Sequence, residues 1–274
     1  MARQGGEALT LVPALITLLT DFGLSDPYVG VMKGVIYSRA SDVRIVDVSH
    51  GVPPQDIRWA SYWLERAYAW FPRGTVHIAV IDPGVGTDRA VLVHEAHGHV
   101  FLVPDNGLLS HSLRSSADAV TRRVDVPALA YPTLSSTFHG RELFAPLAAE
   151  LASAQRQPSE LGEIAQNIVA PRLSETVTSP GRVDGHIVCV DHFGNLITNI
   201  ELPARAAEER ANLGLHLGEH AFSLVETYGQ LEVGASGTLV NSFGTLEIVS
   251  RDASARRNYG DALGSPVSLR WSPK

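Results

Sequence analysis

The sequence predicts an α/β protein in two parts: a mostly parallel sheet flanked by helices, then a small β-rich domain. Two observations predict it. From Leu15 to Ile81, short apolar runs alternate with helically spaced apolar residues, the pattern of strand–helix–strand units with parallel strands. Beyond residue 170 the helical spacing gives way to short β-type segments separated by glycine turns. A length of 274 residues at 45% hydrophobic content allows two cores.

The elements follow in order. Leu9 to Leu19 is apolar, but Pro13 interrupts it and it falls far short of the roughly 20 residues a bilayer span needs, so no membrane partner is expected. Its second half is the first strand, ending at polar Thr20-Asp21. Tyr28 to Arg39 has helical spacing, Arg44 to Val48 is strand-like, and Pro53-Pro54 marks a loop. Ile57 to Trp70 is an amphipathic helix and Val76 to Ile81 a strand. Val91–Val93 and Val100–Val103 flank a polar turn, Asp105-Asn-Gly107 opens a short helix, and Arg141 to Ala154 is a helix despite Pro146. Pro171 to Gly185, rich in Pro, Ser, Thr and Gly, marks the boundary between domains placed at 14–172 and 182–274. The β-type segments after it are Val183–Asp191, Leu196–Ile200, Thr238–Asn241, Leu246–Ser250 and Val267–Trp271.

Composition excludes several classes. A net charge of −7 and no Lys/Arg run disfavour nucleic acid. The single cysteine, Cys189, lies in a strand-like run and has no intrachain partner, which fits a reducing cytoplasm. No Cys/His cluster, H-E-x-x-H helix or G-x-S-x-G elbow is present, so metallohydrolase and serine hydrolase readings lose support. His94, His97 and His99 are read as a solvated hairpin tip rather than a metal site.

In open α/β sheets, ligands collect beyond the carboxyl ends of strands. Asp21 and Asp82 each follow such an end and are placed in one crevice, with turn capping as the alternative for either. The segment Asp82-Pro-Gly-Val-Gly-Thr-Asp-Arg89 is rich in glycine, but a strand follows it and it lacks Gly-Lys-Ser/Thr. It reads as a rigid turn returning Arg89 toward Asp82, not as a phosphate loop. His139 precedes a helix, where the dipole favours a neutral imidazole; the alternative is a helix cap.

Seven segments then resemble one family: Leu19-Thr-Asp-Phe-Gly23, Val46-Asp-Val-Ser-His50, Asp82-Pro-Gly-Val-Gly86, Pro104-Asp-Asn-Gly-Leu108, Thr137-Phe-His-Gly-Arg141, Asp191-His-Phe-Gly-Asn195 and Asn241-Ser-Phe-Gly244. In this order they resemble the S-adenosylmethionine hydroxide adenosyltransferases, hydrolase relatives of the enzymes that make 5′-halogenated adenosines. The resemblance implies a C-terminal β-barrel and hydrolysis of S-adenosyl-L-methionine, or its (R)-sulfonium epimer, to adenosine and methionine. It implies no metal or cofactor, since S-adenosylmethionine is itself the substrate. It further implies a homotrimer with sites at subunit interfaces.

By the same matching, Asp82, Arg89 and His139 form the water-activating set. Asp21 binds ribose, Asp191 the methionine ammonium, Phe193 and Asn195 the nucleoside, and Ser242 the methionine carboxylate, with Glu247 and the backbone of residues 251–253 nearby. Gln55 matches a position that is aromatic in the halogenating branch, so no stacking role carries over. That branch also has tyrosine where this chain has Asp82, serine where it has Gly140, and an extra loop after Arg89. A carboxylate repels a halide and accepts a hydrogen bond from water, which favours hydrolysis over halogenation. A non-catalytic S-adenosylmethionine or adenosine binder and a metal-dependent phosphohydrolase using Asp21, Asp26 and Asp82 are the competing readings.

Overall fold

The computed structural model describes residues 14–132, 134–204, 213–260 and 262–271. The apolar stretch from Leu9 to Pro13 and the last three residues of the predicted second domain lie outside them. The described residues form two compact units. One takes the chain up to Asp56, Ala67–Asn106 and Ser112–Val169; the other takes Ile57–Arg66, Gly107–His111 and the chain from Ala170 on.

In the first unit, β1 (Leu15–Thr20), α1 (Tyr28–Arg39) and β2 (Arg44–Ser49) make the first strand–helix–strand repeat. Helix α2 (Ile57–Ala67) follows in sequence, then β3 (Val76–Val80), β4 (Val91–Ala96) and β5 (His99–Pro104). Short helix α3 (His111–Arg114), β6 (Val120–Arg123) and α4 (Val126–Leu129) lead to a π-helical turn, Gly140–Phe144, that runs into α5 (Ala145–Ala152). The sheet order is β2-β1-β3-β5-β4-β6, parallel from β2 to β5, with β4 antiparallel to both neighbours. The chain leaves β1 for β2 on one side and returns for β3 on the other. The carboxyl ends of β1 and β3 therefore flank a topological switch point.

Both faces of β1 are buried, which is why it reads as a continuous apolar run. Ile16, Leu18, Ile78 and Val80 pack with Met32 and Ile36 of α1 and with Phe144 and Leu147. On the opposite face the polar groups are paired. Thr17 Oγ1 bonds His77 Nδ1 at 2.7 Å, and His77 Nε2 lies 3.2 Å from His99 Nδ1. Burial pushes the His77 pKa down to about 3, with His99 acting in the same direction.

This corrects the reading of the three histidines as a hairpin tip. Only His97 occupies the turn, with φ of 55°. His94 and His99 are buried strand residues, and His94 bonds Thr121 Oγ1 and the Leu113 carbonyl. Strand periodicity carries them inward despite the polar sequence around them.

The second unit is antiparallel. Its strands are β7 (Val177–Ser179), β8 (Arg182–Val190), β9 (Leu196–Glu201), β10 (Gly214–Leu217), β11 (His220–Ser223), β12 (Ser236–Val240), β13 (Thr245–Ser250) and β14 (Pro266–Arg270). Helix α6 (Ala255–Tyr259) lies between the last two. The order is β11-β10-β14-β8-β9-β13-β12, with β7 also on β8. A bridge from Leu224, just past β11, to Thr238 of β12 brings the two ends together into a nearly closed barrel, leaving little open edge. Val183, Ile187, Leu196, Leu215, Leu246 and Leu269 fill it.

Helix α2 belongs to this second unit, although its sequence lies within the predicted 14–172 segment. Tyr62 packs with Val188, Cys189 and Ile197, and its hydroxyl bonds Thr245 Oγ1 at 2.8 Å. Trp63 meets the Phe243 ring edge-on, and Arg66 pairs with Glu201. The apolar stripe that defines the helix from sequence cannot say which apolar surface it covers. Among the described residues no helix is long and apolar enough to cross a membrane.

Candidate active site

The switch point of the first unit opens into a cavity of about 640 Å³. Asp21 and Phe22 enter from the end of β1, Asp82 and Pro83 from the end of β3, and Thr137 to Arg141 from the segment opening the π-helical turn. The β1 loop is held by Thr20 Oγ1, which bonds His50 Nδ1 at 2.8 Å, and by Gly23, whose N–H donates to the His50 carbonyl at φ of 67°. Asp21 Oδ2 accepts the Gln55 backbone N–H at 2.8 Å.

The loop after β3 behaves as its sequence requires. Val85 N–H closes a turn on the Asp82 carbonyl, and Thr87 donates to the Gly84 carbonyl from backbone and side chain. Gly86 has φ of 79°, and a Cβ there would lie 3.0 Å from the Ser136 carbonyl oxygen, so both conformation and space demand glycine. The turn returns Arg89 onto Asp82 as a two-point fork: Nε donates to Oδ1 at 2.9 Å and Nη2 donates to Oδ2. The side chains of Arg89 and Asp82 are only 10% and 4% exposed.

Arg89 Nη2 also donates to His139 Nδ1 at 2.8 Å. His139 sits at the N-terminal cap of the π-helical turn without any side-chain capping bond, so its ring is committed to Arg89. A guanidinium has no acceptor. Nδ1 must therefore accept, and neutral His139 carries its proton on Nε2. Burial, then the Arg89 charge, lowers its pKa below the ordinary 6.5 and keeps it neutral at neutral pH.

Phe22, Tyr28 and Phe138 form an apolar wall that the sequence reading passed over. Their rings meet edge-to-face at centroid distances of 5.2–6.1 Å. Phe22 and Phe138 were visible beside Asp21 and His139, but aromatic residues next to polar ones carry no signal until the topology joins them. Gly140 closes the wall: a Cβ there would stand 3.0 Å from Met32 Sδ and 3.1 Å from Phe138 Cε2.

In the second unit, Asp191 organises the β8–β9 turn. Its Oδ1 accepts the N–H groups of Phe193 and Asn195, and its Oδ2 accepts Asn195 Nδ2 at 2.8 Å. Phe193 is left 76% exposed at the tip. Asn195 Nδ2 also donates to the Tyr228 hydroxyl, which donates to Glu247 Oε1 at 3.0 Å. Burial, reinforced by Asp191, pushes the buried Glu247 up to about 7. Tyr228 escapes the sequence reading because it opens a single 3-10 turn, Tyr228–Gln230, too short to show a period.

Ser242 itself makes no bond in this group, although Asn241 on the same turn bonds Glu247. In the β9–β13 pair Leu196 faces Ile248 and Thr245 faces Glu201, so the turn holding Ser242 enters the pair from the opposite end to Asp191. The loop around residues 251–253 is nearer, since Arg256 N–H donates to the Gly194 carbonyl.

A switch-point cavity carrying an Asp–Arg–His chain, on an α/β unit continued by an antiparallel barrel, defines the class. The SAM hydroxide adenosyltransferase N-terminal domain matches residues 16–162 and the C-terminal domain residues 185–268, and the chain belongs to this family. The (R)-S-adenosyl-L-methionine hydrolase of Thermus thermophilus is 36% identical over 266 residues, 93% of this chain and 98% of that protein. A fluorinase of Actinopolyspora mzabensis is 28% identical over 297 residues, 94% of this chain and 97% of that protein. A crystal structure of an uncharacterized conserved protein from Thermotoga maritima superposes with a TM-score of 0.84 at 30% sequence identity, covering 93% of this chain and 99% of that one.

Proposed function

We propose that this chain hydrolyses S-adenosyl-L-methionine, in its common or (R)-sulfonium form, to adenosine and L-methionine by attack of water on C5′. The observation that carries the reading is the Asp82–Arg89–His139 chain, whose two ends, Asp82 and His139, line the switch-point cavity while Arg89 joins them from behind. A sulfonium leaves without acid assistance, so the protein must place one water in line with the C5′–S bond and direct its proton. Orientation of this kind contributes several kcal/mol.

The hydrogen bonds divide the labour. Arg89 has donors only, and His139 has its Nδ1 occupied and a donor at Nε2. Only Asp82 retains acceptor capacity, so it receives the O–H of the water while Arg89 and His139 support its hydroxide-like character. The apolar wall of Phe22, Tyr28 and Phe138 lowers the local dielectric, which favours a step in which nucleophile and sulfonium neutralise each other. Among the described residues no group of three or more His, Cys, Asp or Glu side chains could hold a metal ion, and no step here calls on one.

Asp21 is assigned to the ribose hydroxyls. Asp191, Phe193 and Asn195 are assigned to the methionine and nucleoside ends of substrate held by a neighbouring copy in a homotrimer. The exposure of Phe193 supports this assignment, and Ser242, on the turn at the other end of the β9–β13 pair, is assigned to the methionine carboxylate. The halogenase reading is disfavoured by the Asp82 carboxylate and by the crowding at Gly140, where the halogenating branch has serine.

Turnover in ¹⁸O water is expected to give adenosine labelled at the 5′ oxygen and unlabelled methionine from one or both epimers, unaffected by chelator. Methylthioadenosine as the main product would overturn the assignment. The shared site has its own test. Asp82→Ala and Asp191→Asn chains, each inactive, should recover roughly a quarter of their sites when refolded together. No recovery despite proven mixing would place each site within one chain.

A further inference from the structure

Behind the Asp82–Arg89–His139 wall lies a second cavity of about 610 Å³, also built entirely from the first unit. Arg89 and His139 form part of its lining, with Asp88, Asp105, Arg123 and Asp125 around them. His139 is the only described residue that lines both cavities.

Resting on the hydrolytic reading, we propose that this second cavity is the water inlet of the reaction. It holds solvent on the far side of the wall and passes a molecule beside the His139 imidazole while substrate occupies the first cavity.

Three observations lead there. Each turnover consumes one water, yet a first cavity of about 640 Å³ is of the size that a ligand of this class fills, closing that side to solvent. The second cavity sets the charged side chains of Asp88, Arg89, Asp105, Arg123 and Asp125 among apolar ones and is far larger than one water requires. Two of its carboxylates are anchored: Asp105 Oδ1 accepts the Val169 N–H at 2.8 Å while its Oδ2 lies 3.9 Å from Arg123 Nη2, and Asp125 Oδ1 accepts the Ala128 N–H at 3.2 Å. Finally, the wall has one yielding point. Asp82 and Arg89 hold each other by two bonds and are almost fully buried, whereas His139 is half-buried and tied to the wall by one bond.

The test is a double-label pulse and chase on the full chain. Enzyme loaded with ¹³C-labelled S-adenosylmethionine in ordinary water is mixed rapidly into ¹⁸O water containing excess unlabelled substrate. The first ¹³C adenosine is then isolated. An inlet open behind bound substrate gives ¹³C adenosine carrying ¹⁸O; ¹³C adenosine without ¹⁸O means the water is trapped with the substrate and overturns the proposal.

Val126 and Val169 line the second cavity at 42% and 41% exposure, so tryptophan there adds bulk without entering the core. Val126→Trp and Val169→Trp should each lower kcat and first-turnover ¹⁸O severalfold with the substrate Kd unchanged. Wild-type label and kcat in both variants would also overturn the inlet. Absence of adenosine from the wild-type chain would instead overturn the hydrolytic reading beneath it.

Discussion

In the first unit, residues distant in sequence converge, because parallel strands end on the same side and the chain reverses direction across the sheet between β1 and β3. In the second unit, two turns that share Phe-Gly and one hydrogen-bond pattern diverge. Asp191-His-Phe-Gly-Asn195 and Asn241-Ser-Phe-Gly-Thr245 are built alike: the first side chain accepts the N–H groups two and four residues on, and the glycines have φ of 87° and 86°. Yet β9 and β13 are antiparallel, so the turns preceding them lie at opposite ends. Likeness of a motif predicts how a turn is made. Strand direction decides where it goes.

The sharpest way to break this contrast is to remove the convergent groups. Asp82→Ala, Arg89→Ala and His139→Ala should each lower kcat by roughly 10²–10⁴-fold with little change in substrate Kd. Asp21→Ala should chiefly raise Kd, because ribose contacts exist before and during the reaction. Near-normal turnover in His139→Ala would leave the histidine a structural role only. Since burial and Arg89 lower the His139 pKa, the acid limb of kcat should fall below pH 6.5.

Next in size is an effect on stability in the sheet of the first unit. His77 is held neutral with a pKa of about 3, so between there and 6.5 the unfolded chain binds a proton that the folded chain does not. Its contribution is fully present above pH 6.5 and is lost as pH falls, on the order of 4 kcal/mol across the window. Denaturant titrations should show a shallower acid dependence in His77→Asn. An unchanged slope would contradict the burial argument.

Glu247 gives the opposite sign in the second unit. Its raised pKa means that stability is fully present below about 4.5 and lost as pH rises through about 7. Glu247→Gln, which keeps the acceptor for Tyr228, should therefore be more stable than the parent at pH 8 by on the order of 2 kcal/mol, with the gap narrowing toward pH 4.5. The smallest effect tests the two turns directly. Where Asp191→Asn leaves the assembly nearly inactive, Ser242→Ala should raise the substrate Kd only about tenfold, the loss of one hydrogen bond to a charged group.

The strands and long helices of the first unit were legible because each buries an apolar run of fitting period, and Arg89 was legible because Pro83, Gly84 and Gly86 leave the chain little choice but to turn. What escaped depended on partners distant in sequence. Strands β6, β10 and β11 have four residues each, too few to show a period. His94 and His99 read as polar but are satisfied by Thr121, Leu113 and His77 from other strands and loops. The aromatic wall and the Tyr228 bridge are products of packing, which local sequence does not encode.

Helix α2 sets an order on how the chain can be built and divided. Residues 57–66 leave the ribosome long before β8 and β9, the strands they will cover, and must wait for them while the first unit's own strands are still being completed. No single cut separates the units. A fragment starting at Ala170 would carry Val188, Cys189 and Ile197 without the helix that shields them, so a gene fusion or truncation that treats the barrel as a module must bring that earlier segment with it.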